Sequence, residues 1–160
     1  LKAIFLDRDG VINKRTESGF VLKWDEFEFL PGVIEAIKLI NKKKIPIYVI
    51  SNQSCVGRGY ITIEQLNEIN SRMLAELKKN GAIIDDVFVC PHHPEDNCDC
   101  RKPKTGMFKQ AAKKYKIDFP SSWFIGDSAT DVEAGKNIGC RTYLLREGEP
   151  ILPVIQKSLS

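Results

Sequence analysis

Four short apolar runs in this chain each end on a side chain able to do chemistry, and no other feature restricts the fold as much. Residues 2–6 lead into Asp7, 45–50 into Ser51, 87–89 into Cys90 and 122–125 into Gly126-Asp127. Runs that are apolar throughout, without polar alternation, suit parallel strands buried on both faces. Helical spacing fills the intervals. Pro31 stands at a first helical position, with Val33, Ala36, Ile37 and Ile40 following on one face. Thr62 and Gln65 make a capping-box pattern ahead of Leu66, Ile69, Met73, Leu74 and Leu77, and Asn80-Gly81 marks the stop. Further helices are predicted over residues 107–115 and 129–137, and a last strand over 141–145. The alternation predicts an α/β class: a three-layer Rossmann-like domain with a mostly parallel sheet, formed by residues 1–160 as a single domain. In such sheets ligands bind beyond the carboxyl ends of the strands, so Asp7, Ser51, Cys90 and Asp127 are expected to share one edge.

Composition narrows the function. With 24 basic and 21 acidic side chains the net charge is only +3, and the longest basic run, Lys42-Lys43-Lys44, falls at a predicted helix end where it complements the macrodipole. Acidic Asp25, Glu26 and Glu28 alternate with Trp24, Phe27 and Phe29, a pattern that reads as a half-buried hairpin. It argues against a phosphate-backbone groove, and no nucleic-acid partner is expected. No apolar run approaches the roughly 20 residues of a membrane span, so a soluble, cytoplasmic protein with no membrane partner is expected. Five cysteines, an odd number, fit a metal site in a reducing compartment better than a disulfide framework.

Asp7-Arg8-Asp9-Gly10 sets two carboxylates two residues apart at a strand end, and a turn at Gly10 can leave both lining one cleft with Arg8 directed away. Gly126-Asp127-Ser128-Ala129-Thr130-Asp131 brings a third carboxylate to another strand end. Any one of these aspartates alone could be a helix cap or turn residue. As an ordered set they supply the hard oxygen ligands that magnesium takes together with a substrate phosphate. Cys90-Pro91-His92 and Cys98-Asp99-Cys100 offer three thiolates and an imidazole, a closed tetrahedral set for structural zinc, with His93 competing as the imidazole. Cys55 and Cys140 read as incidental core thiols.

The runs Phe5-Leu6-Asp7-Arg8-Asp9-Gly10-Val11-Ile12, Ser51-Asn52-Gln53, Arg101-Lys102-Pro103 and Gly126-Asp127 to Asp131 resemble, in order and placement, the four motifs of the haloacid dehalogenase superfamily. Within it the chain is similar to the heptose bisphosphate phosphatases and the related histidinol-phosphate phosphatases. The resemblance implies a magnesium-dependent phosphatase with Asp7 as nucleophile, Asp9 as general acid and base, and Ser51 and Lys102 holding the transferring phosphoryl group. It implies magnesium on Asp7, Asp127 and the Asp9 carbonyl, with Asp131 supporting. It selects His92 over His93 as the partner of Cys90, Cys98 and Cys100 on zinc. No interval has room for a separate cap domain, so selectivity is expected from Glu17, Ser18, Gly19, Phe20, Asn52, Gln53, Ser54 and Arg101. Gly19-Phe20 and Gly57-Arg58-Gly59 resemble steps of the heptose enzymes, whereas Glu17-Ser18 departs from their acid-histidine pair; Arg58 is read as bracing its turn. The expected partner is a small phosphorylated metabolite, a sugar bisphosphate first, and the expected state a monomer. Histidinol phosphate, a nucleic-acid end, or a non-catalytic zinc-stabilised interaction role are the alternatives.

Overall fold

The computed structural model describes residues 1–160. Five parallel strands form one sheet: β1 (Ile4–Leu6), β2 (Ile47–Asn52), β3 (Asp86–Cys90), β4 (Trp123–Gly126) and β5 (Arg141–Leu144), in spatial order β3-β2-β1-β4-β5. The register sets Ile4 beside Ile47 on one side and Trp123 on the other, making β1 the central strand. Five helices cover the sheet: α1 (Val33–Lys42), α2 (Ile63–Lys79), α3 (Gly106–Lys114), α4 (Ala129–Ile138) and α5 (Ile151–Leu159).

Alternate residues of each strand point to opposite faces, so the central strands must be apolar on both. Ile4, Leu6, Ile47, Val49 and Ile125 meet Val33 and Ile37 of α1, Met73 and Leu77 of α2, and Val154 and Ile155 of α5. Phe5, Tyr48, Ile50 and Phe124 meet Met107, Phe108 and Ala111 of α3 and Ala134 of α4. Each Val, Leu, Ile, Phe or Met among them, fully buried, contributes roughly 1.5–3 kcal/mol. No helix is long and apolar enough to cross a membrane.

The α2 capping box forms as expected, with Thr62 Oγ1 accepting from Gln65 N and Gln65 Oε1 accepting from Thr62 N. Three expectations change. α1 starts at Val33 behind Gly32, which caps it at φ 82°, so Pro31 lies outside the helix. Residues 10–29 do not build a hairpin: only the isolated bridges Asp9 to Asn13 and Asn13 to Phe29 form, beside a 3-10 turn at Trp24–Glu26. Trp24 and Phe27 stack at 4.8 Å and pack on the core instead of pairing across strands. α5, for which no element is predicted, buries Ile151, Val154, Ile155 and Ser158, a helical spacing, and carries Pro153 in its first turn, where a missing N–H costs nothing.

The chain leaves β1 toward α1 and β2 on one side, and reaches β4 only after crossing to the other. The crevice between the ends of β1 and β4 is therefore the point where successive connections diverge.

Candidate active site and metal centre

Asp7 follows β1 directly, and its N–H still donates to Ile125 O at 3.0 Å, which pins it between the two central strands. Asp127 follows β4. Gly10 turns the chain at φ 87°, and a Cβ there would stand 1.8 Å from Asp127 Oδ2, so only glycine lets the two loops approach. One carboxylate oxygen from each of Asp7, Asp127 and Asp131 lies within 4.8 Å of the others.

The Lys102 ammonium, 3% exposed, sits 3.1 Å from Asp7 Oδ1 and 2.7 Å from Asp131 Oδ1, and donates to Ile50 O at 2.9 Å. Asp131 Oδ2 accepts the N–H groups of Asp127 and Ser128 at 3.0 and 3.2 Å, within the capping box that starts α4. Both its oxygens are thus engaged. Burial works against the Asp131 charge, but the Lys102 ammonium outweighs it and holds the carboxyl below the usual range. Burial also opposes the Lys102 charge, which Asp7 and Asp131 overcome, keeping the ammonium protonated. For Asp7 burial prevails: its carboxyl is pushed well up, against Lys102 and with help from Asp131, Asp127 and Asp9. A divalent cation at this cluster would reverse that balance.

Asp7, Asp9, Lys102 and Asp131 line a cleft of about 320 Å3, with Arg15, Gly19, Phe20, Asn52, Ser54, Arg58, Arg101, Ser128 and Thr130 around it. Of the residues expected to recognise substrate, Gly19, Phe20, Ser54 and Arg101 are among them. Glu17 and Ser18 are exposed outside it, Ser18 Oγ donating to Phe20 O within its own turn. Gln53 is buried away from it and donates to Ser51 Oγ at 2.7 Å and Asp9 Oδ2 at 3.2 Å. Asn52 reaches the cleft, but its amide clamps the Lys102 backbone, accepting from Lys102 N at 3.0 Å and donating to Lys102 O at 3.3 Å. Ser51 belongs to β2 and is 1% exposed.

Two arginines escape sequence reasoning. Arg58 donates to Ser54 Oγ at 3.1 Å over the Phe20 ring and lines the cleft, so it does more than brace a turn. Arg15 grips Asp127 with Nε at 2.6 Å and Nη2 at 2.9 Å. That partner lies 112 residues away, and no local pattern signals it. Arg15 and Asp127 also border a neighbouring hollow of about 700 Å3 walled by Val11, Leu30, Leu145 and Ile151. Arg8, expected to point away from the cleft, is 1% exposed and reaches back to Asp9.

The cysteine-histidine loop closes beside this edge. The ligand atoms of Cys90, His92, Cys98 and Cys100 lie within 4.8 Å of one another. Cys90 Sγ is 3.4 Å from His92 Nδ1 and 3.5 Å from Cys98 Sγ, against edges of roughly 3.5–3.8 Å for tetrahedral zinc with these ligands. Cys100 Sγ comes closer, 2.8 Å from Cys90 Sγ and 3.1 Å from His92 Nδ1. Burial opposes the Cys98 thiolate, yet the N–H groups of Arg101 and Cys100 bring it down to about 6, the state a metal ligand needs. His93 stands outside this cluster, and its Nδ1 accepts from Glu95 N and caps the 3-10 turn Pro94–Asp96. The loop is welded to the cleft, since Gly57 N donates to Pro91 O at 2.7 Å, and a Cβ on Gly57 would stand 2.2 Å from His93 N. The Cys140 thiol, by contrast, is pushed up to about 12 by burial alone, as an inert core group should be.

Fold and site together define a class. Residues 99–150 match the family model described as HAD-hydrolase-like. A D-glycero-beta-D-manno-heptose-1,7-bisphosphate 7-phosphatase of Haemophilus ducreyi is 39% identical over 94% of this chain and 86% of its own length. A probable enzyme of the same kind from Thermoplasma volcanium is 37% identical over 91% and 99%. The crystal structure of the D,D-heptose 1,7-bisphosphate phosphatase of B. bronchiseptica, complexed with magnesium and phosphate, superposes with a TM-score of 0.87 at 36% identity, covering 99% of this chain and 86% of that one. The chain belongs to the heptose 1,7-bisphosphate 7-phosphatase family of the HAD-like hydrolases.

Proposed function

We propose that this protein is a phosphomonoesterase that removes the 7-phosphate of a heptose 1,7-bisphosphate through an aspartyl-phosphate on Asp7, with residues 1–160 working as one domain. The observation that carries this reading is the buried Lys102 ammonium 3.1 Å from Asp7 Oδ1 at the floor of a cleft rimmed by Arg15, Arg58 and Arg101. A phosphoryl group entering there meets a nucleophile, a fixed cation and three further cations, which is the stabilisation its spread negative charge needs. The free oxygen of Asp7 attacks phosphorus, the bond to the sugar oxygen breaks, and Asp9 delivers a proton to that oxygen. Asp9 then takes a proton from water as the water oxygen attacks the aspartyl-phosphate, which releases phosphate and restores Asp7. Asn52 keeps Lys102 in register through its two backbone bonds.

Asp7 and Asp127 would hold magnesium, together with the Asp9 carbonyl. Their donor set is all hard oxygen; Asp131 is tied to Lys102 and to two backbone N–H groups, and Asp127, gripped by Arg15 through both oxygens, would exchange that guanidinium for the cation. When bound, the cation neutralises charge on the transferring group. Cys90, His92, Cys98 and Cys100 would hold zinc as a closed structural site that fixes the adjoining Arg101 and Lys102. The expected partner remains a small phosphorylated metabolite.

Selectivity for a bisphosphate is assigned to Arg101, whose Nη1 is buried without a hydrogen-bond partner. Arg101 also lines the cleft, and a guanidinium with an unpaired donor is suited to a distal phosphate. Arg101→Ala is expected to lower kcat/KM for heptose bisphosphate by about 10- to 100-fold, matching a lost charged hydrogen bond of about 1.5–3 kcal/mol. An aryl phosphate lacking a distal group should lose far less; equal losses would mean that Arg101 only braces the zinc loop. Arg101→Lys should not restore the loss, because an ammonium lacks the planar fork.

The function itself is tested by phosphate release from the two heptose bisphosphate anomers, histidinol phosphate and a 3′-phosphorylated oligonucleotide. Relatives named for the β and the α anomer match at the same 39% identity, so both are included. A higher kcat/KM on histidinol phosphate or the oligonucleotide would overturn the reading.

A further inference from the structure

We propose that Arg8 is a positioning residue which reserves one oxygen of Asp9 for proton exchange with the leaving group; this rests on the reading of Asp9 as acid and base. Arg8 is the largest fully buried side chain in the protein. Its Nε donates to Asp9 Oδ1 at 3.1 Å, and its Nη2 stands 3.0 Å from the same oxygen with no other partner. Asn13 Nδ2 donates to Oδ1 as well, at 2.9 Å. The other oxygen, Oδ2, meets only Gln53 Nε2, at 3.2 Å.

The two oxygens of Asp9 are therefore not equivalent. Oδ1 faces two hydrogen-bond donors and a permanent guanidinium charge, and a guanidinium has no acceptor to receive an O–H. A proton on Oδ1 would point at N–H hydrogens, so the acid form carries it on Oδ2. The Oδ2 proton passes to the sugar oxygen as its bond to phosphorus breaks, and Oδ2 recovers one from water as that water attacks the aspartyl-phosphate.

Arg8 is itself held. Nη1 donates to Asn70 Oδ1 of α2 at 2.8 Å, and the guanidinium carbon lies 5.8 Å from the Phe27 ring centroid. The carbonyl of Arg8 accepts from the N–H groups of Val11, Ile12 and Asn13, which ties the turn beyond Asp9 to the same residue. Asn70 lies 62 residues from Arg8, so a helix with no place in the cleft sets the rotation of the proton donor.

The test uses leaving-group demand, comparing heptose bisphosphate, whose alkoxide needs protonation, with p-nitrophenyl phosphate, whose phenolate does not. Arg8→Gln is expected to lower kcat/KM, which reports formation of the aspartyl-phosphate and not its hydrolysis, by about 10- to 100-fold for the sugar substrate and by about threefold or less for the nitrophenyl substrate. Arg8→Lys, which keeps a donor for Oδ1, should recover part of the loss. In an Asp9→Asn background Arg8→Gln should add no further loss. Equal losses on the two substrates, or a full additional loss beside Asp9→Asn, would overturn the proposal and make Arg8 structural only. If Asp9→Asn itself spares the sugar substrate, the acid-base reading of Asp9 falls and the proposal with it. If Asp9→Asn shows the skew and Arg8→Gln does not, Arg8 alone is refuted. Should Arg8→Gln fail to fold, Asn70→Leu, which releases only Nη1, must give the same skew at smaller size; its absence also refutes Arg8.

Discussion

Asp7→Asn is expected to abolish turnover, lowering kcat by about four orders of magnitude or more, because an amide cannot form the acyl phosphate on which both half-reactions depend. The same substitution should leave the protein folded. Asp7 is ringed by Asp9, Asp127 and Asp131, and burial together with these neighbours pushes its carboxyl well above the usual range. A carboxyl raised in the folded state favours folding only while protonated, so without magnesium its contribution is lost as pH rises from the unfolded value through the folded one. At neutral pH the charge on Asp7 is thus unfavourable in the magnesium-free protein. Asparagine removes it, and Lys102 keeps Asp131 Oδ1 and Ile50 O as partners. Thermal unfolding without added magnesium should give Asp7→Asn a Tm equal to or above the parent's. Beryllium fluoride should bind the parent at Asp7 and fail to bind the variant. Turnover near the parent's would exclude Asp7 as the nucleophile.

Cys98→Ser is expected to release the loop metal and lower both stability and activity. Cys98 is the cleanest ligand to change, since it is only partly buried, whereas Cys90 and Cys100 belong to the core under α3 and would leave voids as well. Structural zinc contributes on the order of 10 kcal/mol to ordering its site. Losing even about 3 kcal/mol of that would move Tm by roughly 6–12 °C in a chain of this size. Activity should fall with it, because Cys100 leads directly into Arg101 and Lys102, and added magnesium should not restore it. Elemental analysis should find about one zinc per chain in the parent and little in the variant. A parent purified without chelator and free of zinc would refute the assignment.

The parts of the site that are legible in the sequence are those written in local order. Asp7 and Asp9 share one motif, Cys90 and His92 another, and Ser128 and Asp131 a capping box; each acts within a few residues of itself. The α2 helix is equally legible, with period and cap both present in the chain. What stays hidden involves partners far apart. Arg15 on Asp127, Arg8 on Asn70 and Asn52 on the Lys102 backbone span 112, 62 and 50 residues. A long polar side chain reaches several candidate partners, and nothing periodic marks which one it meets. Residues 10–29 mislead for a related reason: alternating aromatic and acidic side chains suit a hairpin, but Trp24 and Phe27 bury more by packing on the core than by lining an isolated ribbon.

By itself the amino-acid sequence determined the α/β class, the strand ends as the seat of chemistry, the aspartate set and the close cysteine and histidine pairs of the loop. These follow from hydrophobic period and ligand type, which are properties of neighbouring residues. Only the tertiary structure decided the order of the strands, the removal of Gln53 and Glu17 from the cleft, the entry of Arg58 and Arg15, and the pairing of Arg8 with Asp9. The physical reason is that a buried charge must find a partner wherever packing brings one within about 3 Å, and packing is set by the whole sheet rather than by the chain on either side.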